Sequence, residues 1–222
     1  MAEQIPFGTD NFAENPEPRV PCILLLDVSG SMAGRPIAEL RKGLEVYKMD
    51  LAADPLASKQ VEIAIVTFGG LVKSTHWATA DYFCPPQLVA DGNTPMGAAI
   101  AQSIQMLKER KETYRSNGIL FYRPWIFVIT DGEPSDHWYT AAGHIKSGER
   151  KREFSFFCVG VEGANFNTLK MISVREPLKL KGLRFSDLFL WLSNSQQSVS
   201  RSTPGDVVAL ANPVTPTGWA AI

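Results

Sequence analysis

The stretch from Pro21 to Met32 constrains the fold more than any other part of the chain. It reads Pro-Cys-Ile-Leu-Leu-Leu-Asp-Val-Ser-Gly-Ser-Met, an apolar run that changes abruptly into Asp27-x-Ser29-x-Ser31. An apolar run of this length is typical of a strand buried on both faces, as parallel strands of α/β proteins are. The polar residues that follow it then lie at the carboxyl edge of the sheet, where open α/β folds bind ligands.

The residues of the Asp27-x-Ser29-x-Ser31 motif have two interpretations. One carboxylate and two hydroxyls at alternate positions of a turn can converge on one point, and hard oxygen donors suit a hard cation, Mg²⁺ first. The alternative is a plain turn whose serines cap a helix. The motif by itself leaves both open.

Strands and helices alternate along the rest of the chain. Val61 to Phe68, Tyr122 to Thr130 and Phe154 to Val161 are strand-like, and helical patterns separate them. A poorer strand from Val72 to Ala78 follows a tight Gly69-Gly70 turn and should run antiparallel. The alternation predicts an α/β fold with a doubly wound, mostly parallel central sheet, one antiparallel edge strand and helices on both faces.

Composition divides the chain into three parts. Residues 1–19 read as an irregular leader, and residues 20–200 as one domain. Residues 201–222 contain Ser, Thr and Pro with few charges, which predicts a flexible tail that docks at Val207-Val208 or at Trp219.

Overall composition excludes several classes of function. The chain has 222 residues and a net charge of −1, so nothing global favours nucleic acid or an anionic membrane as a partner. We find no signal-peptide pattern and no apolar stretch long enough to span a bilayer.

The chain has three cysteines, Cys22, Cys84 and Cys158, which lie far apart in sequence. Their odd number and wide spacing disfavour a disulfide framework or a cysteine-based zinc site. They favour a reducing, cytoplasmic location.

Two further polar loops should meet the first one. Asp131 follows the Tyr122–Thr130 strand, and Thr94 precedes a helix in the loop Gly92-Asn93-Thr94-Pro95. If the strands are neighbours, their carboxyl ends lie along one edge of the sheet. The predicted metal site then contains two carboxylates and three hydroxyls: Asp27, Ser29, Ser31, Thr94 and Asp131.

Each of the later residues also has a simpler interpretation as a helix cap. Thr94 could be an N-cap only, and Asp131 could cap the helix that begins near His137. Asp136 is better explained as a cap or surface residue than as a ligand. His137 and His144 could share one helical face, but no third ligand lies nearby in the sequence, which disfavours zinc.

The five residues together resemble the metal-ion-dependent adhesion site of von Willebrand factor A domains, and the chain is similar to that family over nearly its whole length. The loop from Gly92 to Gly97 and the stretch from Gly160 to Ala164 resemble the bacterial TerY-like branch, named for tellurium-resistance and stress-response operons. The resemblance implies a Rossmann-like fold and a protein-interaction function. It also implies a protein phosphatase and a kinase-like protein as partners.

The same resemblance implies a division of roles at the metal. Ser29, Ser31 and Thr94 would coordinate Mg²⁺ directly, with Mn²⁺ or Ca²⁺ as alternatives, while Asp27 and Asp131 would act through bound waters or one of them directly. Because three neutral hydroxyls leave the charge of the cation poorly neutralised, a partner protein would add a Glu or Asp carboxylate.

An enzyme is the alternative function. An aspartate after a first core strand, together with Mg²⁺, resembles the haloacid-dehalogenase phosphatases, which would make Asp27 the nucleophile of a phosphatase or hydrolase. Such enzymes use a second acid two residues later as general acid, and here that residue is Ser29. No nucleotide-binding glycine loop or serine-hydrolase elbow is present in the sequence, so a non-enzymatic module is favoured.

Overall fold

The computed structural model describes Phe12 and residues 14–221, which form one twisted sheet covered by helices. The strands in this part of the chain are β1 (Val20–Asp27), β2 (Val61–Gly69), β3 (Leu71–Ser74), β4 (Ala78–Thr79), β5 (Trp125–Thr130), β6 (Ser155–Gly160), β7 (Leu178–Leu180) and β8 (Ala220–Ala221). The helices are α1 (Arg35–Ala53), α2 (Ala57–Gln60), α3 (Met96–Ser116), α4 (Tyr139–Arg150), α5 (Phe166–Ile172) and α6 (Phe185–Ser200), and a short 3₁₀ turn spans Gly30–Met32.

The first strand lies in the centre of the sheet. The strand order is β3-β2-β1-β5-β6-β7-β8, with β4 also paired to β2. Both neighbours of β1 are parallel to it, and Leu26 lies opposite Thr67 on one side and Ile129 on the other. The predicted α/β fold with a mostly parallel sheet and an antiparallel edge is confirmed, with β3 and β4 antiparallel to β2.

Helices cover both faces, which explains the uninterrupted apolar character of β1. Alternate residues Cys22, Leu24 and Leu26 belong to one core with α1 and α6. Ile23 and Leu25 belong to a second core with α3, α4 and α5. Every residue of β1 is buried, so no solvent face requires a polar side chain until the strand ends at Asp27.

The end of the segment predicted to be a flexible tail is part of the sheet. Ala220 and Ala221 form β8, antiparallel to β7, and buried Trp219 packs edge-on against Trp191 with ring centroids 5.6 Å apart. Both docking points that the sequence suggested make contacts: Trp219 is buried, and Val208 is partly buried against the core, whereas its neighbour Val207 is fully exposed. Composition cannot reveal this docking, because it depends on the unpaired outer edge of β7.

The leader predicted for residues 1–19 lies mostly outside the described residues. Its described part includes Phe12, whose ring contacts Tyr114 edge-on and lies near the Arg19 and Arg110 guanidinium groups. Among the helices of the described chain, none combines the length and the apolar character that crossing a bilayer requires.

Two glycines of α4 give a matched test of the packing. A Cβ at Gly148 would lie 2.4 Å from ring carbons of Phe154, whereas a Cβ at Gly143 would contact nothing within 4 Å. We expect Gly148→Ala to lower the free energy of unfolding by about 1–3 kcal/mol through overpacking. Gly143→Ala should raise it by about 0.5–1 kcal/mol, because alanine is the better helix former. Urea denaturation measures both, and equal effects of the two substitutions would contradict the packing of α4 on Phe154.

Candidate metal centre

Two neighbouring parallel strands bring Asp27 and Thr130 together. Asp27 ends β1, Thr130 ends β5, and both are fully buried. Asp27 Oδ1 accepts a hydrogen bond from the Ser29 amide at 2.8 Å, and Oδ2 accepts one from Thr130 Oγ1 at 2.5 Å. The carboxylate is therefore fixed by its own turn and by the next strand.

Thr130 is a residue of this centre that the sequence analysis did not assign. Its hydroxyl donates to Asp27 and accepts from the Gly132 amide at 3.2 Å. Its position as the last residue of β5, directly before Asp131, was the available signal. Assigning Thr130 to the site requires the side-chain geometry between β1 and β5, which the spacing of residues in the sequence does not provide.

The turn after β1 presents two serine hydroxyls to Asp131. Ser29 Oγ and Ser31 Oγ lie 3.0 Å apart, and Ser31 Oγ donates to Asp131 Oδ1 at 2.8 Å. Ser29 precedes the 3₁₀ turn but makes no side-chain capping bond to it. Ser29 therefore does not cap this turn through its side chain. Both hydroxyls belong instead to the cluster around the two aspartates.

The loop that carries Thr94 is held against the turn after β1. Asp91 N donates to Val28 O at 2.8 Å, and Gly30 N donates to Gly92 O at 2.9 Å. Gly92 has φ of +70°, and a Cβ at this position would lie 2.5 Å from the Gly70 Cα. Glycine is therefore required here, both for the backbone conformation and for the close approach of the two loops.

Thr94 is positioned through its backbone, which leaves its hydroxyl available. Its amide donates to Ser135 Oγ at 3.0 Å, and its carbonyl accepts from the Ser135 amide at 2.9 Å. The Thr94 hydroxyl has no hydrogen bond to any residue that the structure describes. A Cβ placed on Gly132 would lie 3.3 Å from Thr94 Oγ1 and 3.7 Å from Asp27 Oδ2, so both oxygens lie beside Gly132.

Asp136, and not Thr94, caps the helix that follows the Thr94 loop. Asp136 Oδ1 accepts from the Gly97 amide at 2.9 Å, and Oδ2 accepts from the Ala98 amide at 2.8 Å. The prediction that Asp136 is a cap and not a ligand agrees with these contacts. The capped helix is α3, which lies far from Asp136 in sequence, and not the adjacent α4.

We expect Asp136→Ala to lower the free energy of unfolding by about 0.5–2 kcal/mol, because two amide donors at the start of α3 lose their acceptors. Asp136→Asn keeps one acceptor oxygen and should lose less. Thermal unfolding of the two variants beside the parent protein measures the difference. Equal losses for Ala and Asn would contradict the capping role.

Burial raises the pKa of both carboxyl groups of the cluster. For Asp27 the largest cause is desolvation, which the hydrogen bonds from Ser29 and Thr130 partly offset, and the negative charge of Asp131 raises the pKa further. For Asp131 desolvation again dominates, and the bond from Ser31 opposes it. No lysine or arginine of the described chain forms an ion pair with either group, so the charged forms lack a positive partner.

The donor set of the cluster fits a hard cation. All five side chains have oxygen atoms that can bind a metal. Two of them are buried carboxyl groups with no compensating positive charge in the described chain. In the part of the chain that the structure describes, no three His, Cys, Asp or Glu side chains lie close enough to hold a metal ion. A cation at this cluster would therefore be bound largely by hydroxyl oxygens, as Mg²⁺ with retained waters permits.

A family profile for the von Willebrand factor type A domain matches residues 22–181. The chain belongs to the von Willebrand factor type A family. The matched part of this domain begins in β1, ends just after β7, and contains all five residues of the cluster. No curated protein sequence matches the chain.

Solved structures with the same fold come from distant proteins. The pilus adhesin SpaC of Lactobacillus rhamnosus GG, in its open conformation, superposes with a TM-score of 0.67 at 12% identity, over 82% of this chain and 30% of SpaC. The manganese-loaded TRAP protein of Plasmodium vivax gives 0.55 at 17% identity, over 79% of this chain and 73% of TRAP.

A third neighbour is proximal thread matrix protein 1 of the mussel byssus with a zinc-occupied MIDAS motif. It gives a TM-score of 0.54 at 14% identity, over 81% of this chain and 48% of the byssus protein. The chain thus spans less than half the length of SpaC or of the byssus protein. At these identities the likeness shows the fold alone.

Proposed function

We propose that this von Willebrand factor type A domain is a protein-interaction module that depends on a divalent cation, Mg²⁺ first and Mn²⁺ or Ca²⁺ as alternatives. Ser29, Ser31 and Thr94 would hold the cation through their hydroxyls, and Asp27 and Asp131 would hold it directly or through water. The observation that carries the proposal is the convergence of two buried, unpaired carboxylates with these hydroxyls at the carboxyl edge of the sheet.

The open side of the cluster favours a protein carboxylate as the further ligand. Ser31 is exposed, whereas Asp27 and Ser29 are buried below it, so a ligand can approach only from the surface of the loops. Where Asp27 and Asp131 act through water, the three neutral hydroxyls leave much of the charge of a bound cation available to an outside anion. A Glu or Asp of a partner protein supplies that charge, which makes binding of the partner depend on the cation.

The manganese in TRAP and the zinc in the byssus protein support a cation site in this fold. Those metals are properties of those two proteins. Mg²⁺ is proposed here on the chemistry of the donors, because hydroxyl and carboxylate oxygens with retained waters suit it best.

A catalytic role for Asp27 is the weaker candidate. Both of its oxygens already accept hydrogen bonds, and the position of a general acid two residues later is Ser29. We therefore propose a non-enzymatic module. Turnover of p-nitrophenyl phosphate by the purified domain with Mg²⁺, abolished in Asp27→Ala, would instead establish the phosphatase.

Calorimetric titration with Mg²⁺, with and without acetate as a surrogate carboxylate, tests the proposed site. Thr94→Val should weaken binding by about 10-fold or more, because a ligand is replaced by a methyl group of the same shape. Ser195→Ala is the control, because the Ser195 hydroxyl is also buried but donates within α6 to Trp191 O, away from the cluster. Absence of Mg²⁺, Mn²⁺ and Ca²⁺ binding in the parent domain under all conditions would refute the function.

We further propose that the domain belongs to the TerY-like branch and acts in the cytoplasm of a bacterium within a tellurium-resistance type stress response. The support is the sequence likeness of the Thr94 loop and of the stretch after β6, together with three free cysteines. A protein phosphatase and a kinase-like protein are the proposed partners. Co-expression followed by affinity capture in Mg²⁺ and in chelator tests this, and capture that chelator does not change would contradict a cation-dependent complex.

A further inference from the structure

The loop between β5 and α4 contacts the loop that carries Thr94. Ser135 bonds both backbone groups of Thr94, because its Oγ accepts from the Thr94 amide at 3.0 Å and its own amide donates to Thr94 O at 2.9 Å. Among the side chains that the structure describes, only that of Ser135 hydrogen-bonds to the backbone of Thr94. Since Ser135 lies on the same loop as Asp131, two of the proposed cation ligands are joined by direct contacts between their loops.

These bonds hold both peptide groups that flank the Cα atom of Thr94. In the preceding peptide, Asn93 O accepts from the Gly70 amide at 2.8 Å, while the Thr94 amide donates to Ser135 Oγ. In the following peptide, Thr94 O accepts from the amides of Ser135 at 2.9 Å and Met96 at 2.8 Å. Because each peptide group is planar, two held planes set the direction of the Cα–Cβ bond between them. The direction of the Thr94 hydroxyl then depends only on χ1, which is itself restricted in threonine.

The side chain held in this way lies beside the Asp27 carboxylate. A Cβ added to Gly132 would lie 3.3 Å from Thr94 Oγ1 and 3.7 Å from Asp27 Oδ2, so the two oxygens flank the same point. The Thr94 hydroxyl makes no hydrogen bond within the described chain. Its position therefore depends on the contacts of its backbone, and Ser135 Oγ supplies the one such contact that a side chain makes.

The next residues of the β5–α4 loop support α3 and not Thr94 itself. Asp136 accepts from the amides of Gly97 and Ala98. A Cβ on Gly97 would lie 2.8 Å from Trp138 Cα, so the backbones of the two segments are in close contact there. Adjacent residues of one loop thus have separable roles, because Asp136 stabilises the helix while Ser135 contacts the residue that would bind the cation.

We infer that Ser135 is a positioning residue of the proposed cation site, because its hydroxyl holds the Thr94 amide and thereby directs the Thr94 hydroxyl toward the cation. Residues that orient metal ligands through hydrogen bonds contribute to metal affinity without contacting the metal. The inference rests on the proposed function and adds a side chain outside the five proposed ligands. It also means that the β5–α4 loop sets the position of Thr94 before a cation binds.

Calorimetric titration with Mg²⁺ tests this role in Ser135→Ala and Ser135→Thr. Ser135→Ala should weaken Mg²⁺ binding by about fivefold, which is the size expected when a ligand loses one neutral hydrogen bond that orients it. Ser135→Thr keeps the hydroxyl and should bind within about twofold of the parent. Because Ser135 is exposed, water can satisfy the Thr94 amide in Ser135→Ala without holding it in place. The metal-free variant should therefore unfold in urea as the parent does.

Two further variants serve as controls. Asp136→Ala should lose stability but keep the Mg²⁺ affinity within about twofold, because both bonds between Ser135 and Thr94 remain. Ser198→Ala removes an exposed hydroxyl that donates within α6 to Asn194 O at 2.9 Å. It should leave the Mg²⁺ affinity unchanged.

A double variant and a spectroscopic measurement show whether Ser135 acts through Thr94. Thr94→Val/Ser135→Ala should bind Mg²⁺ no more weakly than Thr94→Val, because the ligand that Ser135 orients is already absent. With Mn²⁺ in place of Mg²⁺, broadening of the electron paramagnetic resonance signal by H₂¹⁷O counts the waters on the metal. Because water replaces a lost protein ligand, Thr94→Val and Ser135→Ala should both have more bound water than the parent, and Ser198→Ala should not.

The outcomes separate this inference from the proposed function. Cation binding in the parent with an unchanged affinity in Ser135→Ala would overturn the inference and leave the cation site standing. Additive losses in the double variant, or a loss in Ser135→Thr as large as in Ser135→Ala, would also overturn it. An equal loss of affinity in Asp136→Ala would assign the effect to the loop as a whole and not to Ser135. Absence of any cation binding in the parent would refute the proposed function and the inference with it.

Discussion

Replacing Asp27 by asparagine should weaken Mg²⁺ binding by about 100-fold while leaving the metal-free domain as stable as the parent protein, or up to about 1 kcal/mol more stable. Mg²⁺ affinity falls whereas the stability of the metal-free domain does not, because the charged carboxylate stabilises a bound cation but does not stabilise the fold. Burial raises the pKa of Asp27 and thus disfavours its charged form. A neutral side chain of the same shape removes the free-energy cost of burying a charged carboxylate.

The hydrogen bonds around Asp27 can accept an asparagine. Its Oδ1 still accepts from the Ser29 amide, which lies 2.8 Å from Asp27 Oδ1 in the parent. The Thr130 hydroxyl can turn to accept from the new amide nitrogen. Its own hydrogen can then point to Gly132 O, which lies 3.5 Å away. Since no buried group loses a partner, the metal-free fold should tolerate the change.

Denaturation curves in chelator and in Mg²⁺ measure both effects. At a Mg²⁺ concentration 100 times the dissociation constant of the parent, the parent gains about 2.7 kcal/mol, whereas Asp27→Asn, with 100-fold weaker binding, should gain only about 0.4 kcal/mol. Ser195→Ala, which removes a hydroxyl that bonds only within α6, should respond to Mg²⁺ as the parent does. A large loss of stability for Asp27→Asn in chelator would show that the carboxylate is structural.

The central strand and the five polar residues could be predicted because the signals are local. The apolar run of β1 ends at Asp27 in the sequence as in the structure. Alternating strands and helices imply a parallel sheet, and the ends of parallel strands share an edge. Asp27, Ser29, Ser31, Thr94 and Asp131 therefore come together as a consequence of topology, without knowledge of any side-chain angle. Their binding of a cation stays a prediction.

The remaining features depend on contacts between distant segments. Asp136 stands just before α4, so the local capping rule assigns it to that helix, whereas it caps α3. Trp219 lies in a segment of loop-like composition but is buried against Trp191. None of these contacts produces a periodic pattern in the sequence.

Replacing Arg110 by methionine should be strongly destabilising. Glu62 is 3% exposed, and the Arg110 guanidinium donates to both of its oxygens, with Nε 2.8 Å from Oε2. Tyr114 also donates to this carboxylate. Methionine keeps the aliphatic stem of Arg110 but removes the charge. The buried Glu62 carboxylate then loses the guanidinium that donates to both of its oxygens and keeps only the more distant positive charge of Arg19. We therefore expect a loss of about 3 kcal/mol.

Two further variants show whether the stability loss of Arg110→Met comes from the lost charge or from altered packing. Lys42→Met removes the exposed pair of Lys42 with Glu39 and should change the free energy of unfolding by less than about 1 kcal/mol. The double variant Glu62→Gln/Arg110→Met should recover much of the loss, since the glutamine oxygen still accepts from Tyr114. Urea denaturation measures all three, and a double variant as unstable as Arg110→Met would assign the loss to packing instead.

The loss of stability in Arg110→Met should leave the cation affinity of the folded domain unchanged. Glu62 pairs with Pro21 near the amino end of β1, and Asp27 closes the other end, about 20 Å away for six residues of strand. Groups so far apart, with no shared partner, contribute independently. Calorimetric titration with Mg²⁺ well below the melting temperature checks this. An altered Mg²⁺ affinity in Arg110→Met would mean that the two ends of β1 are coupled through the sheet.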